Sequence, residues 1–137
     1  MACVFCGIAD GRLEADLVWT SDAHLAFLDH RPLFPGHVLV IPRRHAPTLT
    51  DLGDEEVGPL MSLVKRISAA VEEVMGAQGT FVAMNNRVSQ SVPHLHVHVV
   101  PRTKGDGLKG FFWPRRPYRS DEERRGVAQA LRQALSQ

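Results

Sequence analysis

Apolar residues recur along the chain at two spacings, a spacing of two that predicts strands and a spacing of three to four that predicts helices. Two short apolar runs, residues 17–19 and 24–29, flank a polar turn and predict a β-hairpin. The run 37–41 is apolar on both faces, which predicts a strand in the middle of a sheet. Residues 80–84 predict a further strand, and residues 94–99 alternate strictly between histidine and apolar residues.

Two longer segments have the helical spacing. Residues 54–76 place apolar side chains at steps of three and four, which predicts an amphipathic helix that ends at Gly76. Pro59 lies beyond the first turn, where a proline removes a helix hydrogen bond, so the start of this helix is less sharply predicted. A second helix, about residues 120–136, begins at Ser120 with Glu123 three residues further on. Residues 1–12 predict only a turn-rich start.

Together these elements predict an α+β domain. We expect a mainly antiparallel sheet of about five strands, one long helix between the strands and a C-terminal helix, with the helices packed on one face of the sheet. A chain of 137 residues is long enough to bury one core. We therefore expect a single domain over residues 1–137, with its core at about 3–114.

The composition is that of an ordinary globular protein, with 44% hydrophobic and 23% charged residues. Lys and Arg total 16 against 15 Asp and Glu, and the resulting charge of +1 gives no reason to expect a nucleic-acid partner. No apolar run approaches the roughly 20 residues that span a bilayer, and the first residues do not resemble a signal peptide. We therefore expect a cytoplasmic protein with no membrane partner, in which the two cysteines are reduced or bind metal.

His94, His96 and His98 occupy every second position of the last predicted strand, so all three imidazoles point to one face. A row of imidazoles is a poor core, because each ring carries a donor and an acceptor that need partners. One interpretation is an exposed, solvated strand face. The other is phosphoryl chemistry, since a neutral imidazole attacks phosphorus well, can leave again, and titrates near neutral pH.

The neighbours of these histidines favour phosphoryl chemistry. Gln90 and Ser91 offer uncharged hydrogen-bond donors to phosphate oxygens just before the strand, and His37 opens the central strand. The run from His94, His-Leu-His-Val-His-Val-Val, resembles the signature of the histidine-triad (HIT) family of nucleotide hydrolases and transferases. Residues 26–29, 35–42 and 90–92 resemble further motifs of that family. The matches extend from residue 3 to about 114 and imply the HIT-like fold of a Hint-like bacterial member that begins with CxxC.

The resemblance implies a role for each residue around the reacting phosphorus. His96 would attack the α-phosphorus and form a nucleotidyl-histidine intermediate, which water then hydrolyses. His98 and His37 would contact the phosphate. Gln90 and Ser91 would bind phosphate oxygens, and Ser91 would help to protonate the leaving group. No metal would be needed for these steps.

The resemblance also implies the residues that hold the rest of the nucleotide. Asp29 would accept hydrogen bonds from the ribose hydroxyls, and an apolar slot would take the base, formed by Phe5, Ile8 and Phe27. Asn85 or Asn86 would lie on the phosphate side. The loop between these asparagines and the triad is shorter than the common family pattern and lacks its glycines, which leaves the choice between the two open.

Family members that dimerise place a tryptophan after the triad in the neighbouring subunit's site, and Trp113 resembles that residue. The resemblance therefore implies a homodimer. The segment 102–119 is strongly basic and suits a polyphosphate, although a solvated loop explains most of its charges better.

Cys3 and Cys6 form a CxxC pair, which alone fits redox chemistry or one half of a metal site. A tetrahedral zinc site needs two more ligands. The resemblance implies that His45 and His94 supply them, which would make a structural zinc site that ties the N-terminus to the sheet. Two alternatives remain, metal-free reduced thiols and a catalytic zinc held by the three histidines of the triad.

The functional expectation is a hydrolase of nucleoside phosphoramidates or dinucleoside polyphosphates that acts on a purine, AMP-type nucleotide through His96. The alternative is a nucleotide-binding regulatory module with little turnover.

Overall fold

The computed structural model describes residues 3–109 and 115–136. The chain divides into two compact units, of which the first ends at Asp106 and the second begins at Gly107. The first unit contains the sheet and every element that carries a predicted site residue, apart from Trp113. That tryptophan lies outside the described residues.

The sheet of the first unit has five strands. Their bounds are β1 Leu17–Thr20, β2 His24–Leu28, β3 Val38–Pro42, β4 Gly79–Ala83 and β5 Val97–Arg102. They lie in the order β1-β2-β3-β5-β4, and every neighbouring pair is antiparallel. The predicted hairpin, the central strand and the α+β class are confirmed.

The first unit has two α-helices, α1 (Val4–Ala9) and α2 (Asp54–Met75), and a short 3₁₀ helix, Leu49–Asp51. Helix α2 begins at Asp54 although it contains Pro59, and it ends as predicted at Gly76, whose φ of 61° is in the left-handed region that glycine favours. Helix α1 replaces the turn-rich start that the sequence predicts. The sulfur of Cys3 accepts the N–H of Cys6 and caps its first turn.

The alternation along the central strands builds a core on both faces of the sheet. Val38 and Val40 face a cluster that includes the buried side of α2, whereas Leu39 and Ile41 face a second cluster with Phe5 of α1. The two helices of this unit therefore cover opposite faces. Helix α1, which the sequence does not predict, adds a cover on the face opposite α2.

The second unit contains α3 (Asp121–Leu135), where Ser120 caps the helix by accepting the N–H of Glu123 as predicted. Its apolar stripe of Val127, Leu131 and Leu135 is exposed. Within the described ranges, no helix combines the length and apolar character needed to cross a membrane.

Candidate active site and metal centre

The histidine segment is less regular than its sequence predicts. Strand β5 begins only at Val97, so His94 and His96 precede it. The alternation nevertheless holds, because Leu95 and Val97 pack into the cluster that includes α2 whereas His94 and His96 contact the ring of Phe5. His94 is 0% exposed and His96 is 3% exposed. This burial excludes a solvated strand face.

The tautomer of His94 follows from its backbone partner. Its Nε2 lies 2.8 Å from the carbonyl oxygen of Pro42, and a carbonyl only accepts, so Nε2 carries the proton. Nδ1 is then left with its lone pair, and it lies 3.4 Å from Sγ of Cys3 and 3.6 Å from Sγ of Cys6. Burial lowers the pKa of His94, which keeps the ring neutral. Metal-bound histidines show the same arrangement, with the other ring N–H donated to a carbonyl.

His45 completes this group, since its Nδ1 lies 3.4 Å from Sγ of Cys6. We call Cys3, Cys6, His45 and His94 the metal cluster. Their four ligand atoms lie within 4.8 Å of one another. Tetrahedral zinc, with Zn–S near 2.3 Å and Zn–N near 2.0 Å, separates its ligand atoms by roughly 3.5 Å, so the spacing and the donor set fit zinc. Burial and the adjacent Cys3 raise the pKa of the Cys6 thiol, an effect that a bound cation would reverse.

His96 has the opposite tautomer. Its Nδ1 lies 2.8 Å from the carbonyl oxygen of His94, so Nδ1 carries the proton and Nε2 keeps its lone pair. The ring lines a cavity that Phe5 and Phe27 also line. The carbonyl that orients this ring belongs to a residue whose own side chain is part of the metal cluster. The ring of His96 is therefore held in one orientation, with its Nε2 unprotonated.

His37 and His98 form a hydrogen-bonded pair that starts from the backbone. The N–H of Leu33 donates to Nδ1 of His37 over 3.1 Å, so the neutral ring carries its proton on Nε2. That Nε2 lies 3.0 Å from Nδ1 of His98, to which it donates, and the proton of His98 is then on Nε2. Burial lowers the pKa of both rings, that of His98 to about 4, so both are neutral near pH 7.

Asp29 lies beside this pair, with Oδ2 3.7 Å from Nε2 of His37. We call Asp29, His37 and His98 the histidine relay. Their ligand atoms also lie within 4.8 Å of one another. A metal ion would nevertheless need the lone pair of His37 Nε2, the atom that carries the proton because Leu33 occupies Nδ1. The relay is therefore a donor chain that ends at Nε2–H of His98, not a second metal site.

A cavity of about 1040 Å³ brings together most of the predicted site. Its wall includes the predicted base slot, the predicted ribose ligand and three residues of the predicted phosphate site, namely Phe5, Ile8, Phe27, Asp29, Ser91, His96 and His98. His37 does not line it and lies behind His98. The cavity wall thus combines apolar and polar side chains, as a nucleotide requires.

Three predicted phosphate ligands do not line the cavity. The side-chain amides of Asn85, Asn86 and Gln90 instead bond backbone groups, respectively Ser89 O, Leu49 N and both Arg87 N and Pro47 O. Sequence reasoning also missed the backbone groups of Leu33 and Pro42 that set two tautomers. Backbone amides leave no signal in the pattern of side chains.

Fold and site together define a protein that carries a histidine-lined cavity on an antiparallel sheet, beside a cluster suited to zinc. The family model described as the HIT domain matches residues 10–105. The chain is 37% identical, over 100% of its length and 95% of the relative's, to an uncharacterised HIT-like protein of Mycobacterium tuberculosis. The chain belongs to the HIT family.

Two relatives with a named activity are also similar. The adenosine 5'-monophosphoramidase hnt1 of Schizosaccharomyces pombe is 35% identical over 89% of this chain and 90% of the relative. The asymmetrical bis(5'-nucleosyl)-tetraphosphatase of the same organism is 41% identical over 59% of this chain and 46% of the relative. The family thus includes relatives that act on each of the two expected substrate classes.

Solved structures agree with the fold. A Streptococcus mutans protein superposes with a TM-score of 0.86 at 30% identity, covering 97% of this chain and 85% of that chain. A zinc-bound histidine triad family protein of Mycobacterium smegmatis superposes with a TM-score of 0.75 at 39% identity, covering 99% of this chain and 97% of that chain. The second neighbour binds zinc, which is consistent with the metal cluster described above.

Proposed function

We propose that this protein is a nucleotide hydrolase that cleaves nucleoside phosphoramidates or dinucleoside polyphosphates through a covalent intermediate on His96. The observation that carries the proposal is the Nδ1–H of His96 bonded to the carbonyl of His94, which leaves the Nε2 lone pair of a cavity-lining ring free to attack. The similarity to a phosphoramidase and a tetraphosphatase supports both leaving groups.

The first step is attack by Nε2 of His96 on the α-phosphorus. A P–N bond forms, and the bond from phosphorus to the leaving amine or phosphate breaks with its electron pair. The ring becomes cationic while Nδ1 keeps its proton, and the carbonyl of His94 stabilises that charge. The leaving group takes up a proton, which the hydroxyl of Ser91 on the cavity wall passes on from solvent.

The second step is hydrolysis of the nucleotidyl-histidine. Water attacks the phosphorus, the P–N bond breaks with its electron pair returning to Nε2, and the water proton is lost to solvent. Throughout both steps Nε2–H of His98 donates to a phosphate oxygen, because His37 holds that tautomer. A donor aimed at oxygens that gain charge in the transition state lowers the barrier.

The apolar side chains of the cavity wall suit a purine base, which would pack between Phe5, Ile8 and Phe27. Asp29 would accept hydrogen bonds from the ribose hydroxyls, although one of its oxygens already accepts the N–H of Arg31. The substrate is therefore proposed to be an AMP-type purine nucleotide. Of the amides that the resemblance places on the phosphate side, Asn85 stays a proposed phosphate contact.

We propose that zinc occupies the metal cluster. There it would supply structural cross-linking of the N-terminus to the sheet, with Cys3, Cys6, His45 and His94 as ligands. His94 would orient His96 through its backbone carbonyl while its side chain binds the metal. A site built on two thiolates fits a reducing compartment, and we propose the cytoplasm as the location.

A homodimer is proposed on the family resemblance. Strand β4 is an edge of the sheet, and Val82 on it is 40% exposed, so a second copy has an edge to extend. Sedimentation velocity measures the mass in solution. A monomer at micromolar concentration would contradict the dimer. It would also contradict the prediction that Trp113 lies in the neighbouring subunit's site.

The decisive experiment is trapping of the intermediate with substrates that carry a label on the α-phosphate. Acid quench of the wild type should leave label on the protein, and peptide mapping should place it on His96. The His96→Ala variant should lose the adduct, and its turnover should fall by a factor on the order of 10⁴ or more. Persistent turnover in that variant would rule out the His96 mechanism. Binding of AMP without turnover of any phosphoramidate or dinucleotide would favour a regulatory nucleotide-binding module.

A further inference from the structure

The turn that carries Ser91 is held by its own polar side chains. We call residues 85–91 the phosphate turn and residues 46–49 the anchor segment. The N–H of Leu49 donates to Oδ1 of Asn86 over 2.8 Å. Nε2 of Gln90 donates to the carbonyl of Pro47 over 2.6 Å, and Oε1 of Gln90 accepts the N–H of Arg87 over 2.8 Å. Two side-chain amides thus join the turn to the anchor segment.

The anchor segment is itself fixed from several sides. Ala46 is 0% exposed, and its carbonyl accepts the N–H of Leu95, between two histidines of the triad. Thr48 is 2% exposed, and its hydroxyl and backbone N–H both donate to the carboxylate of Asp51. A hydrogen bond to this segment therefore holds its partner in the phosphate turn at a defined position.

The phosphate turn has a backbone that needs such support. Arg87 has a φ of 70° and Ser89 a φ of 61°, both in the left-handed region that residues with a Cβ seldom adopt. Each costs about 1–2 kcal/mol relative to an ordinary conformation and persists only where surrounding contacts enforce it. Two bonds reach the strained residues themselves, because Asn85 donates to the carbonyl of Ser89 and Gln90 accepts the N–H of Arg87.

We propose that Asn86 and Gln90 are positioning residues, which hold Ser91 at the cavity wall by bonding the turn to the anchor segment and do not act as phosphate ligands. Neither side chain lines the cavity, whereas Ser91 does. The proposal rests on the proposed hydrolase function, since it assigns how the turn serves that site. It differs from the role that the resemblance implies for the same residues, which is direct contact with phosphate oxygens.

The two roles predict opposite results for one conservative substitution. Asn86 uses only an acceptor oxygen toward Leu49, and Asn86→Asp keeps that oxygen. A positioning residue therefore tolerates Asn86→Asp, with kcat within about twofold of the wild type, and fails as Asn86→Leu, with kcat lower by about tenfold to a hundredfold. A phosphate ligand would tolerate neither, because Asp lacks the donor and adds a negative charge.

The second variant is Gln90→Met, which keeps the length of the side chain and removes both hydrogen bonds. We expect kcat to fall by about tenfold or more while the Kd for AMP changes by less than about threefold. Hydrogen exchange of the Arg87 amide should accelerate, since that N–H loses its acceptor. Val88→Ala is the matched control in the same turn, because the side chain of Val88 is 81% exposed. It should leave kcat and exchange unchanged.

Each outcome decides between the two roles. An Asn86→Asp variant as impaired as Asn86→Leu would overturn the proposal. A loss of AMP affinity in step with kcat, with unchanged amide exchange at Arg87, would overturn it for Gln90. A wild type without turnover contradicts the proposed function instead, and the AMP affinities and amide exchange then still separate positioning from phosphate contact.

Discussion

The metal cluster and the histidine relay meet at the triad segment, and they use imidazoles in opposite ways. In the metal cluster, Nε2–H of His94 donates to the carbonyl of Pro42, which leaves the Nδ1 lone pair facing two sulfurs. In the relay, Nδ1 of His37 accepts the N–H of Leu33, which leaves Nε2–H of His37 to donate to His98. The residue type is the same in both regions. A backbone acceptor leaves the other ring nitrogen with a lone pair, and a backbone donor leaves the other ring nitrogen with a proton to donate.

The largest effect that we expect is a loss of thermal stability when the metal cluster cannot bind zinc. Removing zinc with a chelator, or substituting Cys6→Ser, should lower the melting temperature by about 10–20 °C, since a ligand at 1,000 times its Kd stabilises by about 4 kcal/mol. The measurement is thermal unfolding with the zinc content determined on the same sample. His98→Asn serves as the control and should retain its zinc.

An equal loss of zinc in His98→Asn would mean that the metal reaches the relay, which would break the contrast. Loss of the initial rate on chelation without a change in melting temperature would instead indicate a catalytic zinc held by the triad. Under the arrangement described, chelation affects unfolding more than it affects the initial rate.

The relay should govern turnover with little effect on metal binding. His98→Asn removes the donor at Nε2, and kcat should fall by about tenfold to a hundredfold because a donor to the developing charge is lost. Steady-state kinetics on an adenosine phosphoramidate test this. His24→Asn is the matched control, since His24 lies outside the cavity wall. If His98→Asn turns over substrate at the rate of the control, Nε2–H of His98 does not donate to the phosphate during the reaction.

A smaller effect is a pH dependence of stability that originates in the relay. The pKa of His98 is about 4 when folded, below its ordinary value of 6.5, because the ring is buried and lies beside other imidazoles. Between those two pH values His98 is protonated in the unfolded chain and neutral in the folded chain. The contribution of His98 to the free energy of unfolding is therefore fully present above pH 6.5 and is lost as the pH falls from 6.5 toward 4.

Because the ring is only partly buried, solvent reduces this contribution to about 1–2 kcal/mol. Denaturant unfolding at pH 4.5 and pH 7.5 measures it. The difference between the two pH values should be smaller for His98→Asn than for the wild type. Equal differences in the two proteins would assign the pH dependence to other groups.

Sequence reasoning reached further for the fold than for the site. The helical spacing from Val57 to Met75 and the glycine at 76 predict α2 with its C-terminal end, because amphipathic period and left-handed caps are local properties. Helix α1 was missed, because its capping group is the sulfur of Cys3, which is not a usual cap.

In the site, the members of the metal cluster and the cavity wall were predicted mainly through the resemblance to the HIT family. The hydrogen bond from Gln90 to the carbonyl of Pro47 was not predicted. Pro47 lies 43 residues away in the chain, and the turn adopts positive φ at residues other than glycine. Neither property leaves a trace in the side-chain pattern.

By itself the sequence determined the strands, the long helix and the presence of three alternating histidines, because these depend on the spacing of side chains along a local backbone. The tertiary structure decided the tautomer of each histidine. The rings of His94, His96 and His98 meet different partners, respectively Pro42, the carbonyl of His94 and His37. Two of these partners are distant in the chain, and a neutral imidazole takes its tautomer from its partner, so the three tautomers are fixed only once the sheet is assembled.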